Sequence, residues 1–80
     1  MGSNKEKYDN AFKEAFKIND DLLNEKLTYQ SIPTWDSVGH MSLIAGLEQA
    51  FDIMMDMDDI VDLSSYHSGI NMMEKYGVKI

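Results

Sequence analysis

Ser37 and His40 are the side chains whose types and spacing could support chemistry, since a serine near a histidine has the composition of a nucleophile beside its general base. Their spacing on a helix argues against that pairing. Three residues rotate His40 by about 60° from Ser37 and place it in line with Leu43 and Leu47. We expect His40 to pack against the preceding loop near Trp35, with a ring N–H donated to a backbone carbonyl. No acid, base and nucleophile converge in the sequence, so we expect that the protein is not an enzyme.

An acidic run, Asp56-Met57-Asp58-Asp59, has the composition of a calcium-binding loop. Its continuation does not fit, because Val61 stands where such a loop requires glycine and His67 where it requires the bidentate glutamate. The chain has no cysteine, and its two histidines have no second ligand at a usable spacing. We therefore expect no metal site, and we interpret the run as a solvated helix cap.

Length and charge limit the function classes. Eighty residues form one small domain, residues 1–80, and 14 acids against 7 lysines give a net charge of −7. This charge argues against a nucleic-acid partner, because binding to phosphate backbones needs clusters of Lys and Arg. No apolar run typical of a signal peptide or a membrane span is present. We expect a cytoplasmic monomer that does not insert into membranes.

Apolar residues at helical spacing predict an all-α fold, a four-helix bundle of three longer helices and one short helix with a long first loop. The predicted helices cover about residues 4–18, 36–51, 57–63 and 65–76, with Gly77 just after the last. The core stripe of the second helix is predicted to contain Leu43, Leu47, Ala50 and Phe51, with Ile44 at its flank.

The connection over residues 19–36 is too apolar for a disordered linker. Pro33 disfavours helix at the residue before it, and the spacing supports at most a short helical turn near residues 21–25. We expect this loop to pack across the helices, with Trp35 as its anchor.

A signature Trp-Asp-Ser-x-x-His-x-x-Leu is formed by Trp35, Asp36, Ser37, His40 and Leu43. Downstream, the segment 47–53 reads Leu-Glu-Gln-Ala-Phe-Asp-Ile, and the segment 60–65 reads Ile-Val-Asp-Leu-Ser-Ser. With these segments, the stretch from residue 33 to about residue 76 resembles the acyl carrier proteins, and is most similar to their stand-alone type. Residues 1–32 match only in having one amphipathic helix and a long loop.

The resemblance implies that Ser37 Oγ carries a 4′-phosphopantetheine arm, transferred from coenzyme A by a phosphopantetheinyl transferase, and that an acyl group is held on it as a thioester. Asp36, at the cap position, would fix the turn that presents Ser37. A helix N-terminus favours the negative phosphate. The further partners implied are an acyl- or aminoacyl-loading ligase and a downstream acyltransferase or synthase.

The surface around Ser37 departs from fatty-acid carriers, since Gly39 and Ser42 stand where those carriers have acids. This departure argues against docking to the enzymes of fatty-acid synthesis, and the resemblance of the signature implies a specialised biosynthetic pathway. Val38, Met41 and Ala45 lie on the Ser37 side of the helix, with Glu48 as one acid on that face, and form either an exposed docking surface or a patch covered by the loop. We expect acids near the short third helix, Asp56 and Asp59 among them, to provide the charge for docking.

Three alternatives stay open. The cargo could be an aminoacyl or peptidyl group instead of an acyl group. The protein could also be an unmodified helical adaptor that uses the apolar face beside Ser37 to bind a partner helix. The many methionines could fill the core or line a cavity for an acyl chain, and ordinary core filling is the simpler interpretation.

Overall fold

Capping residues set the boundaries of the helices. The structure is a computed structural model that describes residues 3–80. Met1 and Gly2, part of the predicted domain, lie outside that range. Within it the chain forms α1 (Asn4–Phe16), α2 (Ser37–Phe51), α3 (Met57–Asp62) and α4 (Tyr66–Lys75), with no β-strand. The predicted all-α fold, with three longer helices, one short helix and a long first loop, is confirmed.

The ends of the helices differ slightly from the predicted ones. α1 stops at Phe16, because Lys17 takes a left-handed conformation with φ of 57° and its N–H bonds to the carbonyl of Lys13. α4 begins one residue later than predicted, since Ser65 is its N-cap and forms a capping box with Ser68. Gly77, with φ of 82°, follows the last helix as predicted.

Trp35 lies at the centre of an aromatic core and has no exposed surface. Its ring stacks on Phe16 at a centroid distance of 4.8 Å and meets the edge of Phe12 at 5.7 Å. Truncation of a large aromatic side chain in such a place costs about 3–5 kcal/mol. The predicted anchor of the first loop is therefore confirmed.

The first loop packs against the start of α4. Tyr66 donates its N–H to the carbonyl of Leu27 at 2.9 Å, and Tyr29 donates its N–H to Ser64 at 2.7 Å. Leu27 is buried, and a turn of 3-10 helix over Asp20–Leu22 occurs close to the predicted helical turn. The loop is thus a packed part of the domain.

Ile44 is fully buried with Leu43 and Leu47, whereas Ala50 and Phe51 are only half-buried. The core stripe is therefore rotated from the predicted one, because α3 contacts α2 on the His40 side and Ile44 follows His40 by one turn. Among the methionines of residues 3–80, Met55 and Met73 are buried in the core, whereas Met41, Met54 and Met57 are exposed. Within residues 3–80, no helix combines the length and hydropathy needed to cross a membrane.

Candidate functional site

Ser37 is the first residue of α2 and is exposed to solvent. The residue before it, Asp36, is the N-cap: its Oδ1 accepts the N–H of Gly39 at 2.8 Å, and its carbonyl accepts the N–H of His40 at 2.8 Å. The predicted cap is therefore confirmed. Ser37 lies in the first turn of α2, where the backbone N–H groups have no carbonyl partner within the helix. Its hydroxyl is therefore at the positive end of the helix dipole.

Tyr29 is the residue near Ser37 that the sequence interpretation missed. Its hydroxyl lies 3.3 Å from Ser37 Oγ, and either oxygen can donate the hydrogen. Seven residues of irregular loop lie between Tyr29 and Ser37 in the sequence, so no helical or strand periodicity relates the two side chains. The only sequence signal was that this loop is too apolar to be a linker.

His40 occupies the place predicted for it. The indole N–H of Trp35 donates to His40 Nδ1 at 3.0 Å, and His40 Nε2 lies 2.7 Å from the carbonyl of Ile60. An indole nitrogen can only donate, so Nδ1 is the acceptor and Nε2 carries the proton that Ile60 accepts. Both ring nitrogens are therefore engaged away from Ser37. His40 joins the first loop, α2 and α3, and it is not placed to take a proton from the serine.

The apolar face beside Ser37 is open to solvent. Val38 is 77% exposed and Met41 is 55% exposed, and Ala45 is also exposed. Of the two alternatives, the structure shows the exposed surface, and the alternative in which the loop covers these residues is wrong. On α3, Met57 and Val61 are 75% and 73% exposed. We call Val38, Met41 and Ala45 the apolar face.

Two of the predicted docking acids have internal partners instead. Glu48 is half-buried, and its Oε2 accepts the N–H of Met55 at 2.9 Å. Asp59 is only 5% exposed, and its carboxylate accepts hydrogen bonds from Lys75 and Tyr76. Neither carboxylate is free of partners within the protein, because α4 and the link before α3 supply donors that sequence spacing does not reveal. The role of these two acids in docking stays a prediction.

The contacts of Asp59 also affect its titration. The hydrogen bond from Lys75, followed by the bond from Tyr76, holds the pKa of the Asp59 carboxyl below its ordinary value. The interpretation of residues 56–59 as a fully solvated cap is therefore wrong at Asp59. Asp56 is the N-cap of α3 by position and is exposed, but its side chain makes no capping hydrogen bond.

Asp58 and Asp62 are the exposed acids within α3. Each follows an exposed apolar residue, Met57 or Val61, in the sequence. Because residues four apart share a helix face, an acidic stripe and an apolar stripe lie side by side on this helix. Together with Asp56, which is also exposed, they give the surface around α3 a negative charge.

Packing explains why position 39, two residues after Ser37, holds glycine and not the acid found there in fatty-acid carriers. A Cβ atom at this position would lie 1.9 Å from the carbonyl oxygen of Thr34 and 3.3 Å from Phe16. Any side chain would therefore have to move the backbone of the first loop. The missing acid follows from the close contact between α2 and this loop.

In the described part of the chain, no three His, Asp or Glu side chains come together in a way that could hold a metal ion.

No protein-family model, curated protein or solved structure matches this chain.

Proposed function

We propose that this protein is a carrier that bears 4′-phosphopantetheine on Ser37 Oγ and transports an acyl group in a specialised biosynthetic pathway, without catalysing a step itself. The observation that carries the proposal is the exposed hydroxyl of Ser37 on the first residue of a capped helix. The contacts of Trp35 and His40 hold the loop and the helix together directly behind it.

Modification requires Ser37 Oγ to attack the phosphate that links phosphopantetheine to the rest of coenzyme A. A new bond forms between Oγ and phosphorus, the phosphoanhydride bond breaks, and 3′,5′-ADP leaves. The hydroxyl proton passes to a base of the transferase, since both ring nitrogens of His40 are engaged elsewhere. When bound, the arm supplies a thiol that holds the cargo as a thioester.

The residues around Ser37 fit such a group. The hydroxyl is exposed, and the start of α2 favours a negative phosphate through its N–H groups and dipole. Asp36 uses Oδ1 to accept the N–H of Gly39, which keeps the turn fixed, and Tyr29 is the side chain that pairs with Ser37 Oγ.

The apolar face gives the carrier a surface on which partners can dock. We propose that the transferase, a loading ligase and a downstream acyltransferase or synthase contact Val38 and Met41, with the exposed acids of α3 facing basic residues of the partner. This surface is less acidic on α2 than that of fatty-acid carriers, because Gly39 and Ser42 replace two acids. We propose a monomer in the cytoplasm.

A second candidate function is favoured by the same apolar face. An unmodified adaptor would use Val38, Met41 and Ala45 to bind an amphipathic helix of a partner, and would need no group on Ser37. The two functions differ in a covalent bond, so mass spectrometry separates them.

Incubation with coenzyme A and a phosphopantetheinyl transferase should add one phosphopantetheine to the protein, measured as intact mass. Ser37→Ala should abolish the addition because it removes the attacking oxygen. Ser42→Ala, which removes another exposed hydroxyl of α2, is the matched control and should be modified as the wild type is. No addition to the wild type by transferases of several specificities would contradict the proposal and favour the adaptor.

A further inference from the structure

Tyr29 is held by its ring against the residues that support Ser37. The centroid of its ring lies 5.7 Å from that of His40 and 6.4 Å from that of Trp35, with interplanar angles of 78° and 89°. Both partners are themselves fixed by the hydrogen bond between them. The phenol therefore rests edge-to-face on a rigid base, while 37% of the residue stays exposed at the surface.

The backbone that presents Tyr29 is equally well fixed. Tyr29 donates its N–H to the carbonyl of Ser64 at 2.7 Å, beside the bridge between Thr28 and Ser65. The next residue, Gln30, takes φ of 66° and donates its N–H to the carbonyl of Trp35 at 3.0 Å. These backbone hydrogen bonds hold the loop, and with it the Tyr29 hydroxyl, next to Ser37.

The chemistry around Ser37 makes this hydroxyl important. Residues 27–51, which include the loop tip and all of α2, contain no lysine and no arginine. A phosphodiester on Ser37 thus receives no cation from these two segments. Tyr29 is the side chain of these segments whose hydroxyl oxygen already lies 3.3 Å from Ser37 Oγ, so it is the neutral donor nearest at hand. Hydrogen bonds to a charged acceptor are stronger than those between neutral groups.

We propose that Tyr29 is a positioning residue whose O–H donates to the phosphodiester on Ser37 and so limits the directions in which the arm leaves α2. This inference rests on the proposed carrier function. Before modification the same hydroxyl pairs with Ser37 Oγ. After modification the unesterified phosphate oxygens are the better acceptors, so the bond passes from the serine to the phosphate.

The experiment compares wild type and Tyr29→Phe, both carrying the arm, by ³¹P NMR. Tyr29→Phe removes only the oxygen and keeps the ring that packs on Trp35 and His40. In the wild type, we expect the ³¹P resonance of the folded protein to be displaced from its position in urea. Tyr29→Phe should lose most of this displacement. Tyr76→Phe is the matched control, since it removes a hydroxyl that bonds Asp56 and Asp59 and should leave the ³¹P resonance unchanged.

A second measurement on the wild type keeps the test independent of the variant's folding. Nuclear Overhauser effects between the ring protons of Tyr29 and the first methylene of the arm are expected. A Tyr29→Phe spectrum identical to that of the wild type, or the absence of these effects, would overturn the positioning role and leave the carrier function intact. Failure of the wild type to accept an arm would overturn both.

Discussion

Gly39 is the single residue that most clearly connects packing with surface chemistry. Gly39→Ala should lower the free energy of unfolding by about 1–3 kcal/mol, because the new Cβ would lie 1.9 Å from the carbonyl oxygen of Thr34. The favourable helix propensity of alanine is too small to offset this clash. Chemical denaturation of the variant and the wild type measures the difference.

Gly46→Ala is the matched control for this substitution. It introduces the same methyl group in the same helix, but the new Cβ would lie 3.7 Å from Ala11, which is an ordinary contact. We expect it to raise the free energy of unfolding by about 0.5–1 kcal/mol through helix propensity. Equal effects of the two substitutions would show that the contact with Thr34 does not limit position 39.

Among the elements, α3 depends most on polar contacts with its neighbours. The carbonyl of Ile60 accepts a hydrogen bond from His40. The buried carboxylate of Asp59 accepts hydrogen bonds from Lys75, the last residue of α4, and from Tyr76, which follows it. Six residues are too few for a helix that is stable by itself. The position of α3, and of Met57 and Val61 on its surface, therefore follows from these bonds.

Asp59 makes this attachment dependent on pH. Its pKa is lowered in the folded protein, so the stability it contributes is complete above its ordinary value of 3.8 and is lost as the pH falls through the lower folded value. Asp59→Asn should reduce the Tm at pH 7, and the gap to the wild type should narrow below about pH 3.8. Thermal melts followed by circular dichroism across this range measure both effects.

The exposed neighbour Asp58 provides the control for Asp59. Asp58→Asn removes the same charge from α3 without removing a bond to α4, so its Tm should stay close to that of the wild type at every pH. A gap between Asp59→Asn and the wild type that is the same at pH 7 and pH 3 would contradict the role of the ionised carboxylate.

For the whole molecule, the net charge of −7 and the apolar face together determine how partners approach. Asp58→Lys combined with Asp62→Lys should slow modification of Ser37 by a transferase at low salt, because both are exposed acids of α3, the helix that His40 of α2 contacts at Ile60. The difference should shrink at about 1 M salt, where the Debye length falls to about 3 Å. Initial rates of arm addition measure it.

A second pair of substitutions separates local from overall charge. Glu14→Lys combined with Glu25→Lys changes the net charge equally but lies on α1 and the first loop, and both residues are exposed. We expect a smaller effect on the rate. An equal effect would mean that partners respond to the total charge and not to the acids of α3.

The sequence by itself determined the number and approximate positions of the helices, the caps at Asp36 and Ser65, and the position of Ser37 at the start of α2. These features depend on residues close in the chain: apolar spacing sets the helix faces, and Asp36 and Ser65 cap the turns that follow them. The packing of His40 near Trp35 could also be predicted, since its place on the helix leaves it on the core side.

Only the tertiary structure decided which side chains from distant segments meet. Tyr29 reaches Ser37 because the loop is bonded to α4, and Asp59 is buried because the end of α4 supplies two donors. Gly39 is required because the backbone at Thr34 passes against it. Each of these contacts arises from the packing of one segment on another, and no periodicity along the chain records it.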